Sequence, residues 1–147
     1  TNMDTQIKLL YKDSRIPTRG SRDAAGYDLY ARLGTPSLAI QPHTTAKISA
    51  GFVMTIPKGF AGFVFARSGI ATKKSLRPAN AVGVVDADYT GEVFVPLHND
   101  SDEVQVIEDG DRIAQLVVMP FQVVDWIPVE ELSITSIGVG GFGSTGN

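Results

Sequence analysis

The stretch Asn80-Ala81-Val82-Gly83-Val84-Val85-Asp86-Ala87-Asp88-Tyr89-Thr90-Gly91-Glu92-Val93-Phe94-Val95-Pro96-Leu97-His98 decides the fold. From Glu92 onward the side chains alternate. Val93, Val95 and Leu97 fall on one face, Phe94 and Pro96 on the other, which is the period of a strand. Residues 83–86 form a second short apolar run. The polar Asp86–Glu92 interval between them makes the whole a β-hairpin. Pro96 has no N–H for a ladder, so it predicts an edge strand or a bulge.

The same grammar extends in both directions. Residues 5–12 alternate, with Ile7, Leu9 and Tyr11 on one face. Pro17-Thr18-Arg19-Gly20-Ser21 reads as loop, and 27–32 as a short strand broken by Gly34 and Pro36. Residues 47–56 are strand-like, interrupted at Gly51 and closed by the Pro57-Lys58-Gly59 turn. Residues 60–66 are apolar throughout, the pattern of a strand buried on both faces. Val104 and Val106 alternate, Asp109-Gly110 turns, and 112–119 is the next strand. Only 68–75 has room for a helix, and a short one. Val, Ile and Thr number 15, 11 and 11 against 13 Ala and 9 Leu, and 15 Gly with 8 Pro cut the chain short. Strand formers with turns about every ten residues predict an all-β sandwich or barrel. Residues 138–147 hold five glycines and one large apolar side chain, Phe142.

Composition removes whole classes of function. A chain of 147 residues is one domain. Thirteen basic against sixteen acidic residues give a net charge of -3, with no global basic field for nucleic acid or an anionic membrane. Zero cysteines exclude disulfides, thiolate catalysis, zinc fingers and iron–sulfur clusters. His43 and His98 stand far apart and read as ordinary loop or strand-end residues. No apolar run approaches the ~18 residues of a spanning helix, and the start carries no signal pattern. A soluble, intracellular, cytoplasmic protein is the expectation.

Five segments concentrate glycine and polar residues between the strands. Ala24-Ala25-Gly26-Tyr27-Asp28-Leu29-Tyr30-Ala31 places an Asp inside an apolar strand, where it must be paired, solvated or near a cation. Ala66-Arg67-Ser68-Gly69-Ile70-Ala71 brings N–H groups, a hydroxyl and a guanidinium to one turn; that suits phosphate, and equally a structural turn with a surface Arg. In the hairpin, Asp88 suits a turn-shaping role, whereas Asp86 ends an apolar strand where its carboxylate can enter a pocket. The two together also suit a cation. Tyr89 offers an exposed ring to a sugar or base. Gly110-Asp111-Arg112-Ile113-Ala114-Gln115-Leu116 sets Gln115 among apolar neighbours, where it needs a partner. Gly138-Val139-Gly140-Gly141-Phe142-Gly143-Ser144-Thr145-Gly146 is either a linker or a strip that wraps phosphates while Phe142 stacks on a base.

In order, spacing and content these five segments resemble the five motifs of the trimeric deoxyuridine triphosphatase (dUTPase) family, from about Ala24 to Gly146. The resemblance implies an all-β jelly roll over 1–137 and a Gly-rich C-terminal arm, 138–147, that closes a neighbouring active site in a homotrimer. It implies hydrolysis of dUTP to dUMP and pyrophosphate with Mg²⁺. Asp86 matches the residue that activates the attacking water. Asn80 and the backbone of Val84, Val85 and Phe94 match the edge that reads uracil, and Tyr89 the ring under the deoxyribose. Arg67, Ser68 and Gly69 match the phosphate turn. Asp28 and Gln115 match the residues around the metal's waters and the phosphates. Phe142 matches the aromatic over the base, with Gly143, Ser144 and Thr145 along the phosphates.

One departure stands out. The family usually carries Arg just before the first tail glycine, and Ile137 stands there. That motivates a second reading, a catalytically impaired dUTP-binding or regulatory protein. A dCTP deaminase of the same fold needs a proton-carrying glutamate on the strand after the hairpin, where Pro96 stands. A sugar-binding jelly roll is a further alternative, and it leaves the tail without a purpose.

Overall fold

The computed structural model describes residues 2–133. Ile137 and the whole 138–147 arm, including Phe142, Gly143, Ser144 and Thr145, lie outside the described residues. Twelve strands and one helix follow in chain order: β1 (Ile7–Leu9), β2 (Thr18–Arg19), β3 (Tyr27–Tyr30), β4 (Ser37–Ile40), β5 (Thr45–Ser49), β6 (Phe52–Met54), β7 (Phe60–Phe65), α1 (Ser68–Lys74), β8 (Leu76–Pro78), β9 (Gly83–Val85), β10 (Phe94–Asn99), β11 (Gln105–Glu108) and β12 (Arg112–Pro120). Every recorded pairing is antiparallel. The largest sheet runs β2-β3-β12-β7-β9, a second runs β5-β10-β8, and β1-β6 and β11-β4 complete the jelly roll. No helix among the described residues is long and apolar enough to cross a membrane.

The sheets close on one core. Leu29, Ile40, Ile48, Phe52, Leu76, Val95, Leu97, Ile107 and Ile113 are fully buried, each contributing about 1.5–3 kcal/mol by leaving water. Val93, Val95 and Leu97 all face inward, as the alternation requires. Strand β7 is less uniform than expected: Ala61 and Val64 are buried, while Phe60, Phe63 and Phe65 are half-buried. The buried Asn99 is fully paired. Its Nδ2 donates to the carbonyls of Ile40 and Glu103 at 2.9 and 2.8 Å, and its Oδ1 accepts from Ser101. It thereby ties the end of β10 to β4.

Four readings of the sequence differ from the structure. The 17–21 loop contains the two-residue β2, which borders Asp28. The break at Gly34 and Pro36 is followed at once by β4, and the helix by β8; both are too short to show a period. Pro96 lies in a central strand, not at an edge. Its carbonyl accepts from Ala79 N at 2.7 Å, so its nitrogen faces the end of β8, where the ladder has stopped. Finally, the hairpin's arms do not pair with each other. β9 adds to β7, and β10 pairs with β5 and β8. The turn closes with Tyr89 N to Asp86 O at 3.1 Å, but its two legs enter different sheets. Burial decides this: inward Val93 and Val95 belong to the second sheet's core face.

Candidate active site

Because the legs diverge, a slot opens between them. The cavity is about 300 Å³ and is lined by Asn80, Val84, Val85, Asp86, Tyr89 and Phe94, with Lys47 and Glu92 beside them. That volume suits a nucleoside better than a larger ligand. Phe94 points its backbone polar groups toward the slot. Asn99 N bonds Thr44 O on the β5 side, whereas Pro96 O accepts on the other side. Backbone groups alternate along a strand, so Phe94 shares the side of Pro96. β9 is likewise an edge strand, with β7 on one side only. The slot therefore presents unpaired amides and carbonyls, the groups that read a planar base by hydrogen bonds. Val84 is 60% exposed and Tyr89 44% exposed at its rim.

Among the described residues, no hydrogen bond reaches the carboxylate of Asp86 or Asp88, so neither shapes the turn through its side chain. Asp86 is exposed on the cavity wall. Tyr89 is held. Its hydroxyl donates to the Glu92 carbonyl at 2.6 Å, and its ring lies on Gly91, where an added Cβ would stand 2.8 Å from Cζ.

A second cluster gathers the first, second and fourth segments. Arg67 Nε donates to Asp28 Oδ1 at 2.8 Å, and Arg112 lies 3.9 Å from Asp28 Oδ2. Gln115 pairs with Asp28 on one side and Phe65 on the other, and its Nε2 donates to Ala66 O at 2.9 Å. That bond supplies the partner the half-buried amide needs and pins the residue before Arg67. Asp111 instead caps its own turn, accepting from Glu108 N. Ser68 and Gly69 open α1, which ends on Ser75 in the left-handed region. A cavity of about 370 Å³ is lined by Arg67, Gly69, Lys73, Lys74 and Arg112, with Asp111 the acidic member. Positive charge dominates it, which suits a polyphosphate.

The two clusters do not meet within one chain. Gly83 pairs with Val64 and Val85 with Gly62, so β9 runs away from the β7 end that leads to Arg67. At ~3.3 Å per strand residue, Asp86, which falls opposite Ala61, and Arg67 are separated by on the order of 20 Å. Four residues escaped the sequence reading. Lys47, whose Nζ is 4.2 Å from the Phe94 ring centroid, gave no signal beyond its outward place in β5. Glu92 was visible as the one charge at the foot of the hairpin. Gly26 and Gly91 matter through neighbours that only the fold supplies.

A jelly roll with a base-sized slot between two strand edges and a cationic phosphate cradle belongs to the nucleotide-binding class. The comparisons sharpen this. The dUTPase family pattern matches residues 12–146. A deoxyuridine 5'-triphosphate nucleotidohydrolase of Desulfitobacterium hafniense is 42% identical over 146 residues, covering 96% of each chain. Another, of Rhizobium etli, is 44% identical over 132 residues, 89% of this chain and 85% of the relative. Among solved structures, the dUTPase of Staphylococcus bacteriophage 80alpha with dUPNHPP superposes with a TM-score of 0.86 at 30% identity, covering 97% of this chain and 98% of that one. A dUTPase from phage phi11 of S. aureus, whose structure details the coordination of a structural Mg(II) ion, gives a TM-score of 0.77 at 26% identity, over 88% of this chain and 99% of that one. This chain belongs to the dUTPase family.

Proposed function

We propose that this protein hydrolyses dUTP to dUMP and pyrophosphate, with water attacking the α-phosphorus. The observation that carries the reading is the slot between diverging strands, which puts unpaired backbone edges, Tyr89 and an exposed carboxylate in one nucleoside-sized cavity. Asn80 and the backbone of Val84, Val85 and Phe94 pair with the uracil edge. A methyl at the thymine position meets the hairpin wall. Lost apolar contact alone would discriminate by only ~1–3 kcal/mol, so the clash does the rest. Tyr89 packs against the deoxyribose and leaves no space for a 2′-hydroxyl. Asp86 takes the proton from the attacking water as general base.

Hydrolysis at phosphorus is mainly positioning and charge neutralisation. Arg67, Ser68 and Gly69 bind the phosphates, Asp28 holds the guanidinium in place, and Gln115 fixes the backbone of the turn. The donor set fits Mg²⁺ bound mainly to phosphate. Asp28 is already shared with Arg67, and among the described residues no cluster of three metal-ligating side chains exists. Such an ion would keep most of its waters, and Asp28 and Gln115 would hold them. When bound, Mg²⁺ neutralises charge on the phosphate oxygens.

The site is completed by other copies of the chain in a homotrimer. Two observations support this. The general base and the phosphate turn lie on the order of 20 Å apart in one chain. Beyond β12, Val123, Trp126, Ile127 and Leu132 are each more than 70% exposed, with Trp126 at 88%. Apolar surface on that scale marks an interface. The 138–147 arm of a neighbour brings Phe142 over the base and Gly143, Ser144 and Thr145 along the phosphates. Turnover assays with dUTP, dCTP and UTP, reading pyrophosphate and ammonia, test the proposal. Pyrophosphate from dUTP in strong preference to UTP, and none from dCTP, is expected. Ammonia from dCTP, or tight dUTP binding with no turnover, would overturn it in favour of a deaminase or a regulatory binder.

A further inference from the structure

Glu92 is half-buried and tied at three points. Its carboxylate accepts from the Ser49 hydroxyl, and both of its oxygens lie 3.3 Å from the Tyr11 hydroxyl. Its backbone carbonyl accepts from the Tyr89 hydroxyl at 2.6 Å. The two side-chain donors are themselves held. Ser49 Oγ accepts from Gly51 N at 2.9 Å, and the Arg32 guanidinium sits 3.7 Å from the centroid of the Tyr11 ring. Arg32 in turn donates to Asp13 at 3.1 Å. A partly buried carboxylate satisfied by two hydroxyls, with no salt bridge to it among the described residues, is an expensive arrangement to keep for packing alone.

What the arrangement controls is the tip of Tyr89. The ring rests on Gly91, where a Cβ would come within 2.7 Å of the hydroxyl. At its far end the Glu92 carbonyl is the one acceptor the hydroxyl reaches among the described residues. Val93 N, which shares a peptide with the Glu92 carbonyl, donates to Phe52 O at 3.0 Å and holds that peptide at its N–H. The carboxylate anchors hold the Glu92 Cα, the other end of the same peptide. We infer that Glu92, held by Ser49 and Tyr11, is a positioning residue that sets the lean of Tyr89 and thereby how closely the sugar pocket excludes a 2′-hydroxyl. The inference rests on the assignment of Tyr89 to the deoxyribose. Release of the carboxylate leaves that peptide held at its Val93 N–H alone, so it can rock about that bond and the ring tip drift with the carbonyl, and a displacement of ~1 Å is enough to alter a close-fitting pocket.

The test is a double-mutant cycle on the full chain. Values of kcat and KM for dUTP and for UTP are measured for Glu92→Ala, Tyr89→Ala and the double variant, with Glu92→Gln as the conservative change. Glu92→Ala is expected to lower the dUTP-over-UTP preference about tenfold, the size of a single lost interaction. The loss should come through KM for dUTP and gained UTP turnover, with kcat for dUTP little changed. Glu92→Gln should recover most of it, because the amide oxygen still accepts from Ser49. In the Tyr89→Ala background, Glu92→Ala should change the preference no further. An unchanged preference in Glu92→Ala, or an equal loss in both backgrounds, overturns the inference. A Tyr89→Ala variant with intact preference instead overturns the sugar assignment itself, which no Glu92 result can do. If Glu92→Ala does not fold, Ser49→Ala and Tyr11→Phe remove one donor each and must give the same selectivity loss.

Discussion

Gly26→Ala is a one-carbon change whose effect follows from what that carbon meets. A Cβ at Gly26 would overlap Gln115 Oε1 and stand 3.1 Å from its Cδ and 3.2 Å from its Cβ. The Cβ of Gln115 cannot rotate away, so the clash pushes the start of β3 off β12, where Tyr27 pairs with Leu116. Overpacking of this kind costs about 1–3 kcal/mol. Withdrawal of Gln115 also breaks its 2.9 Å bond to Ala66 O, worth about 0.5–1.5 kcal/mol net. A loss on the order of 2–3 kcal/mol is expected in urea denaturation at fixed protein concentration. Ala66 precedes Arg67, so the phosphate turn moves too, and kcat/KM for dUTP should fall by about tenfold or more. Gly20→Ala is the control, since nothing lies within 4 Å of a Cβ there. If the two variants match in both assays, the steric argument and the role given to Gln115 are wrong.

Gly69→Ala separates stability from function. Its Cβ meets nothing within 4 Å in this chain, so the helix should gain about 0.5–1 kcal/mol while turnover falls if phosphate oxygens approach that backbone. Unchanged kcat/KM would remove Gly69 from the phosphate site. Asp28→Ala leaves the half-buried Arg67 guanidinium without its partner, and losing a charged hydrogen bond of this kind costs about 1.5–3 kcal/mol; a smaller loss in denaturant melts would mean that solvent or Arg112 rearrangement compensates. Arg77 donates to Asp100, with His98 and His43 adding to its pull, and holds that carboxyl below the usual 3.8. A depressed pKa in the folded state stabilises above the unfolded value, and the gain is lost as pH falls through the folded one. Arg77→Gln should therefore flatten the fall in stability below pH 3.8, and an unchanged slope would refute the pairing. Ile137→Arg should raise kcat by about tenfold or more with KM little changed, since a guanidinium on the terminal phosphate is worth ~1.5–3 kcal/mol. A flat kcat would mean that Arg67 or a lysine already supplies that charge.

The all-β class of the fold and several polar residues of the candidate site were legible in the sequence. Alternation through Val93, Val95 and Leu97 fixed which face is core, and the isolated polar residues Asp28, Asp86 and Gln115 stood out because their neighbours are apolar. What it did not carry is partnership. A strand of three residues, such as β8 or β9, has no measurable period, and the choice of β7 over β10 as the partner of β9 is made by distant burial. Pro96 pointed to an edge because its missing N–H is local information, while the stop of β8 beside it is not. Gly26 and Gly91 carry no signal of their own, because their importance lies in side chains folded over them, Gln115 from β12 and Tyr89 from the hairpin tip.

The central claim is that Asp86 activates the water that cleaves dUTP. Asp86→Asn keeps the shape and removes the proton acceptor. Steady-state kcat on dUTP should fall by about 10²–10⁴, while affinity for a non-hydrolysable dUTP analogue with Mg²⁺ stays close to that of the parent. A fall of less than about tenfold, smaller than general-base loss produces, would contradict the account and assign the water's activation to another group.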